Sequence, residues 1–365
     1  MMIRLALVFS IFLLFSAYGS VAQVYNKRND SGKPDPQLSE KDNQYIDRQD
    51  HVFLDTVKAI LSRYPPSFPE NKERNTAKLI MDAVFHDAFA VYRKPPQHFF
   101  RERVDQIIKE LETTKVETGV CLWKVYNMGF IARTKTVTIA FDLVTGITGG
   151  SADFAMSTEE VDQLVKQCDV LFISHRHPDH ADKIIAESFL QKGLPVIAPK
   201  QAWKNDSIQS RITHLERIAE KQQHLKLKNC SLDLIVYPGH QLKSIDNNVY
   251  LVTTPEGIVL AHIGDQINEG DFMIDFDWID QVKKLHKVDV LMPNAWTTDI
   301  FRIVRGFNPK IVMPGHELEM GHVVWDRLPY WGDDEYLELN YAELKKSKYP
   351  VIVTVWGESF HYTPG

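Results

Sequence analysis

The stretch Ser174-His175-Arg176-His177-Pro178-Asp179-His180 follows an apolar run, Val170-Leu171-Phe172-Ile173, that has the length and Val/Ile/Phe content of a buried strand. The cluster is therefore expected in the loop at that strand's carboxyl end. It offers four side chains able to ligate a metal: His175, His177, Asp179 and His180. Extended backbone sends alternate side chains to the same side, so His175 and His177 can converge on one ion. Asp179 and His180 follow the bend at Pro178 and can face a second position close by. Imidazole and carboxylate together favour zinc or another borderline divalent ion. A carboxylate beside two histidines also suits a hydrolytic site better than a closed structural one. Tight spacing directly after a strand sets the stretch apart from a surface loop that is merely rich in histidine.

Such a His-x-His-x-Asp-His run after a strand resembles the metallo-β-lactamase superfamily. The resemblance implies further ligands downstream, each in a loop after a strand, and the sequence holds them in order. His240 ends Tyr237-Pro238-Gly239-His240 after the run 232–236, and Asp265 ends His262-Ile263-Gly264-Asp265 after 258–261. His316 ends Met313-Pro314-Gly315-His316 after 310–312, and Asp142, following 137–141, stands where the family has its upstream Asp. The match runs roughly from Thr118 to the C-terminus. It implies an α/β fold, the αββα sandwich of that superfamily, and two divalent metal ions, zinc first with manganese or iron as alternatives. Carried over position by position, His175, His177 and His240 hold one ion, Asp179, His180 and His316 the second, and Asp265 bridges the two. Asp142 supports the metal loop without binding metal. A weaker likeness, in Asn127-Met128-Gly129-Phe130 and the histidine run, points to the branch that includes ascorbate-6-phosphate lactonase.

Composition is consistent with an enzyme of this kind. The 365 residues carry 44% hydrophobic and 25% charged side chains, which argues against disorder and against a polytopic membrane protein. A net charge of −6, with no Lys/Arg block, gives no reason to expect nucleic acid as a partner. A small-molecule substrate is the expected partner, and nothing in the sequence sets the oligomeric state. Cys121, Cys168 and Cys230 are odd in number and far apart, so they imply no disulfide framework and no metal site.

In chain order, residues 1–22 read as a cleaved secretory signal, with a short basic start, an apolar run and Ser20-Val21-Ala22 before Gln23. Export to a periplasmic or extracellular space is therefore expected, with no stable membrane insertion once the signal is removed. Residues 23–36 read as a flexible leader and 37–117 as a helical N-terminal region, either a small domain or a cover packed on the catalytic one. His51, His86 and His98 lie there as ordinary helix residues. Residues 118–365 form the catalytic domain, in which short β-rich runs alternate with helices. Ser157-Thr158-Glu159-Glu160 is a capping box opening one helix, 182–192 reads as another, 336–344 as a third and 351–355 as a strand.

The expected activity is that of a dinuclear hydrolase. Two ions sharing a water lower its pKa toward ~7, and the hydroxide attacks an ester, lactone or phosphodiester bond. Asp179 is the expected catalytic residue, orienting the nucleophile and moving a proton. Arg176, Asn294 and Trp296 are candidate substrate contacts, while His322 and His361 are spare. Two rivals stand beside this reading: a mononuclear iron dioxygenase of the same fold, and a metal-binding protein without catalysis.

Overall fold

The computed structural model describes residues 34–87, 89–147, 154–266, 275–295, 297, 299–317, 320 and 348–365. The expected signal, most of the leader, the helix at 336–344, Trp296 and His322 lie outside the described residues. Among the described residues no helix is long and apolar enough to cross a membrane.

Period-two patterning builds two sheets. Strands β1 (Val120–Lys124), β2 (Phe130–Arg133), β3 (Thr138–Phe141), β4 (Val170–Phe172), β5 (Val196–Ile197) and β12 (Ser359–Tyr362) form one, in the order β12-β1-β2-β3-β4-β5. The second contains β6 (Gln223–Lys226), β7 (Ser231–His240), β8 (Asp246–Thr253), β9 (Val259–His262), β10 (Val290–Met292) and β11 (Ile311–Val312), in the order β11-β10-β9-β8-β7-β6. Alternation decides which face each side chain takes. Leu122, Ile139, Phe141 and Phe172 from the first sheet meet Val236, Tyr250, Val252, Leu260 and Met292 from the second in an apolar layer between them. Trp123, Ala140, Leu171, Leu251, Ala261 and Leu291 point outward and are covered by helices. The result is the αββα sandwich.

Helices α1 (Glu40–Arg63), α2 (Glu73–Phe85) and α3 (Lys94–Thr113) make up the N-terminal region, and α4 (Thr158–Lys166) and α5 (Lys183–Gln191) belong with the first sheet. On the second sheet lie α6 (Asp275–Leu285) and α7 (Ile300–Phe307). The capping box of α4 is present: Glu160 N donates to Ser157 Oγ at 3.2 Å and Ser157 N to Glu160 Oε2 at 2.5 Å. The N-terminal helices pack on the sandwich and do not form a core of their own. Phe85 and Phe100 lie against Trp356, Phe99 lies against Phe85, and Phe100 also meets Tyr126 and Phe154. Arg74 of α2, fully buried, donates to both oxygens of Glu358, at 2.7 and 2.6 Å.

One expected strand is corrected. Within 351–355 only Val351 makes a bridge, to Val312, and the strand at this end of the chain is β12, antiparallel to β1. Ile352 faces the layer between the sheets while Val351, Val353 and Val355 face the helices. The segment thus has a strand's alternating burial without a ladder, because burial sets the pattern and pairing does not. The helix α6 had its own signal, Phe276, Ile279 and Val282 at helical spacing, all buried.

Topology places the site. Strands β3, β4 and β5 run parallel, as do β9, β10 and β11. Since β1 and β2, and β2 and β3, are antiparallel, β1 runs with β3; by the same step β7 runs with β9. Each sheet therefore gathers the carboxyl ends of several strands at one edge, the usual home of an α/β site. From these ends come Asn127, Asp142, the 174–180 loop, His240, Asp265, Asn294 and His316.

Candidate metal centre

The centre is built outward from Asp142, which is completely buried at the end of β3 with φ 42°. Its Oδ1 accepts from Ser174 N at 2.7 Å; its Oδ2 accepts from Ser174 Oγ at 2.5 Å and from His180 Nδ1 at 2.8 Å. Burial pushes this carboxyl up, but the imidazoles of His262 and His180 and the hydrogen bonds from His180 and Ser174 outweigh it and hold it below the usual range. With Nδ1 engaged, His180 turns Nε2 toward the centre. Gly264, at φ 52°, lets the Asp265 loop close onto the same support; a Cβ there would sit 2.4 Å from Ser174 Cβ and from Asn247 Oδ1.

Around that support lie two groups of ligand atoms, each group within 4.8 Å of one another: Asp179, His180, Asp265 and His316 in one, His175, His177 and Asp265 in the other. Asp265 belongs to both. Its Oδ1 lies 3.2 Å from His180 Nε2 and 3.5 Å from His316 Nε2, while its Oδ2 lies 3.6 Å from His175 Nε2. Asp179 Oδ2 is 3.0 Å from His180 Nε2 and 3.5 Å from His316 Nε2.

These residues fit metal ions better than they fit one another. The Nε2 atoms of His175 and His180 are buried and have no hydrogen-bond partner, although carboxylate oxygens stand at those distances. Orphaned buried nitrogens are costly unless something fills the space they face. Separations of 3.0–3.6 Å are also the ligand-to-ligand edges of a tetrahedron, about 3.3 Å for bonds of about 2.0–2.1 Å. Electrostatics differ between the two groups: burial pushes His180 down, but Asp265, Asp179 and Asp142 outweigh it and hold that ring well above the usual imidazole range. Burial pushes His175 down to about 3 and also lowers His177, leaving both neutral as ligands must be. Burial alone would push Asp265 up, yet His180, His316 and His175 hold it well below the carboxylate range, and His180 does the same for Asp179.

The remaining expected residues have distinct placements. His240 joins neither group; its Nδ1 is 3.1 and 3.2 Å from the Asp275 oxygens, and its backbone N donates to Gln266 Oε1 at 3.1 Å. Gln266 Nε2 in turn donates to Asp275 Oδ2 at 2.6 Å. Asn294, expected at the substrate, is buried and donates Nδ2 at 2.7 Å to Asp265 Oδ1, the oxygen that also faces His180 and His316. Arg176 is exposed between His175 and His177. The exposed ring of His361 meets the Thr118 carbonyl, away from both groups. Cys121 and Cys168 are buried, their thiols pushed up to about 12 by burial, and take no part.

Sequence reading missed Asn127, Gln241 and Asp275. Gln241 Nε2 donates to Asp265 Oδ2 at 2.8 Å, and its only signal was adjacency to His240. Asp275 opens α6, a helix left without bounds by sequence reading. Asn127 sits in the β1–β2 turn, where a single Asn reads as turn chemistry.

No protein-family model matches the chain, and no curated protein matches it in sequence. Solved structures with a similar chain trace include Igni18, a metallo hydrolase from Ignicoccus hospitalis KIN4/I, at 17% identity over 67% of this chain and 100% of that one, TM-score 0.44. A possible metal-dependent hydrolase from Veillonella parvula DSM 2008 is similar at 15% identity over 68% and 100%, TM-score 0.46. CmlA, a diiron β-hydroxylase from Streptomyces venezuelae, is similar at 15% identity over 85% of this chain and 62% of that one, TM-score 0.47.

Proposed function

We propose that the chain is a dinuclear metal-dependent hydrolase acting on an ester, lactone or phosphodiester bond of a small molecule. The observation that carries the reading is the double membership of Asp265, whose two oxygens face two separate groups of ligand atoms. Two divalent ions held there, zinc first with manganese or iron next, would supply Lewis acidity and a water with a pKa lowered toward ~7.

The chain's own residues do the rest. His175 and His177 present neutral nitrogens to one ion, and His240, anchored on Asp275, is proposed as its third histidine. Asp179, His180 and His316 serve the other, with Asp265 between. Asp179 is part-exposed where His180 and Asp265 are buried, so it is the carboxylate of this group that an entering substrate meets. It orients the attacking water, takes its proton and returns it to the leaving oxygen. Arg176 stands at the mouth, where it can pair with an anionic part of the substrate.

The test is elemental analysis of protein purified without chelator, followed by a screen of lactones, esters and phosphodiesters. Two ions per chain and turnover on one of these classes are expected. No uptake of a second ion when metal is supplied would overturn the dinuclear reading, and a single iron would favour the dioxygenase in its place.

A further inference from the structure

The turn between β1 and β2 is tight and strongly tied. Val125 N donates to Gly129 O at 2.9 Å and Gly129 N to Tyr126 O at 2.7 Å, while Tyr126 Oη accepts from Met320 N at 3.0 Å. At its tip is Asn127, buried to 1% exposure and held at φ 51°. Its Nδ2 donates to Asp179 Oδ2 at 3.0 Å and approaches Asp179 O at 3.4 Å. Its backbone carbonyl accepts from His316 N at 3.2 Å. His316 is itself in the left-handed region, at φ 71°, a conformation a residue with a Cβ holds only when its surroundings enforce it. One residue of the first sheet thus grips two residues of the same ligand group, one from each sheet.

Satisfying its own polar groups does not explain where Asn127 stands. Its Oδ1 is buried with no hydrogen-bond partner, an arrangement that leaves its desolvation uncompensated. A cost of that kind persists where the other half of the side chain is needed. Nδ2 meets the same Asp179 oxygen that faces His180 and His316, so it fixes the rotation of the carboxylate on which both the second ion and proton transfer depend.

We propose that Asn127 is the positioning residue of the Asp179/His180/Asp265/His316 site: its side chain sets Asp179 and its backbone sets His316. The proposal rests on the dinuclear reading above. Two substitutions separate the two grips. Asn127→Gly removes the carboxamide while tolerating φ 51°, so it keeps the His316 bond and the turn; Asn127→Ala also strains the backbone.

The experiment is titration of the metal-stripped full chain with Co²⁺ alone, read by visible absorption, with thermal melting alongside. Wild type is expected to take up two ions in two phases. Asn127→Gly is expected to bind the first unchanged and the second about 10–100-fold more weakly, the scale for a residue supporting a metal ligand, with an altered absorption band and an unchanged cooperative melt. Asn127→Ala is expected to weaken the second ion further. A merely structural role would shift the melt and leave the spectrum alone. If Asn127→Gly binds both ions with wild-type affinity and spectrum, the positioning role falls and the dinuclear reading stands. If wild type itself takes up fewer than two ions, the dinuclear reading falls and this proposal with it.

Discussion

His180 Nδ1 lies 2.8 Å from Asp142 Oδ2, and both side chains are completely buried. Neither group would be stable there alone. The ring is kept in one tautomer and one orientation by a carboxylate that also holds Ser174, the residue leading the ligand loop. Asp142→Ala would strand three donors in a dry site. A loss of about 3–5 kcal/mol in stability is expected, as when one partner of a buried charged pair is removed, together with weaker metal uptake. Chemical denaturation and metal titration of the variant check both.

Asp179→Asn is nearly isosteric and leaves the apolar layers untouched. Turnover should drop at least ~100-fold while melting stays cooperative, because the change removes a proton carrier and a ligand charge without opening a cavity. Single-turnover assays on whichever substrate the screen returns would read this, and wild-type rates would move the catalysis away from Asp179.

Most of the candidate site was legible in the sequence because the residues that could ligate a metal sit in short motifs, each after a strand. The spacing in His175 to His180 and the glycines before Asp265 and His316 are local features of the chain. What surrounds them was not legible. Asn294 looked like a pocket residue because its loop opens on the right edge, yet its amide turns inward to Asp265. Asp275 and Asn127 reach the site only through folding: the helical spacing of Phe276, Ile279 and Val282 and the likeness in Asn127-Met128-Gly129-Phe130 mark their surroundings without pointing to the centre. The same holds for 351–355, where burial alternates as in a strand but only Val351 makes a bridge.

Arg74 and Glu358 join α2 to the turn before β12, with no solvent contact at the guanidinium. Arg74→Met alone should cost about 3–5 kcal/mol, since Glu358 is left charged and buried. Adding Glu358→Gln should recover part of that loss. Equilibrium unfolding of the single and double variants measures the coupling, and additive losses would show that the pair is not the link between helices and sandwich.

Asp50 of α1 is buried, with Oδ2 lacking a hydrogen-bond partner. Burial pushes its carboxyl up to about 6, against the pull of Arg93 and with the help of Asp87 and Asp47. Between about pH 4 and 6 the folded chain then binds this proton more tightly than the unfolded chain does. Stability is therefore lost as pH rises through that window. Asp50→Asn should be more stable than wild type above pH 6, by on the order of 1–2 kcal/mol, and equal to it near pH 4. Denaturant midpoints at the two pH values test the sign.

The two sheets meet through an apolar layer that resists separation, and Tyr250 Oη of the second donates to Ile173 O of the first at 2.8 Å. At one edge Asp265 of the second sheet reaches across to His175, His177 and His180 of the first, and the backbone of His316 is tied to Asn127. Ions seated there would act as a rivet through both layers. The rate at which a chelator strips them would then be a clock for the sheets sliding apart, slowed by anything that stiffens the sandwich, however far from the edge it lies.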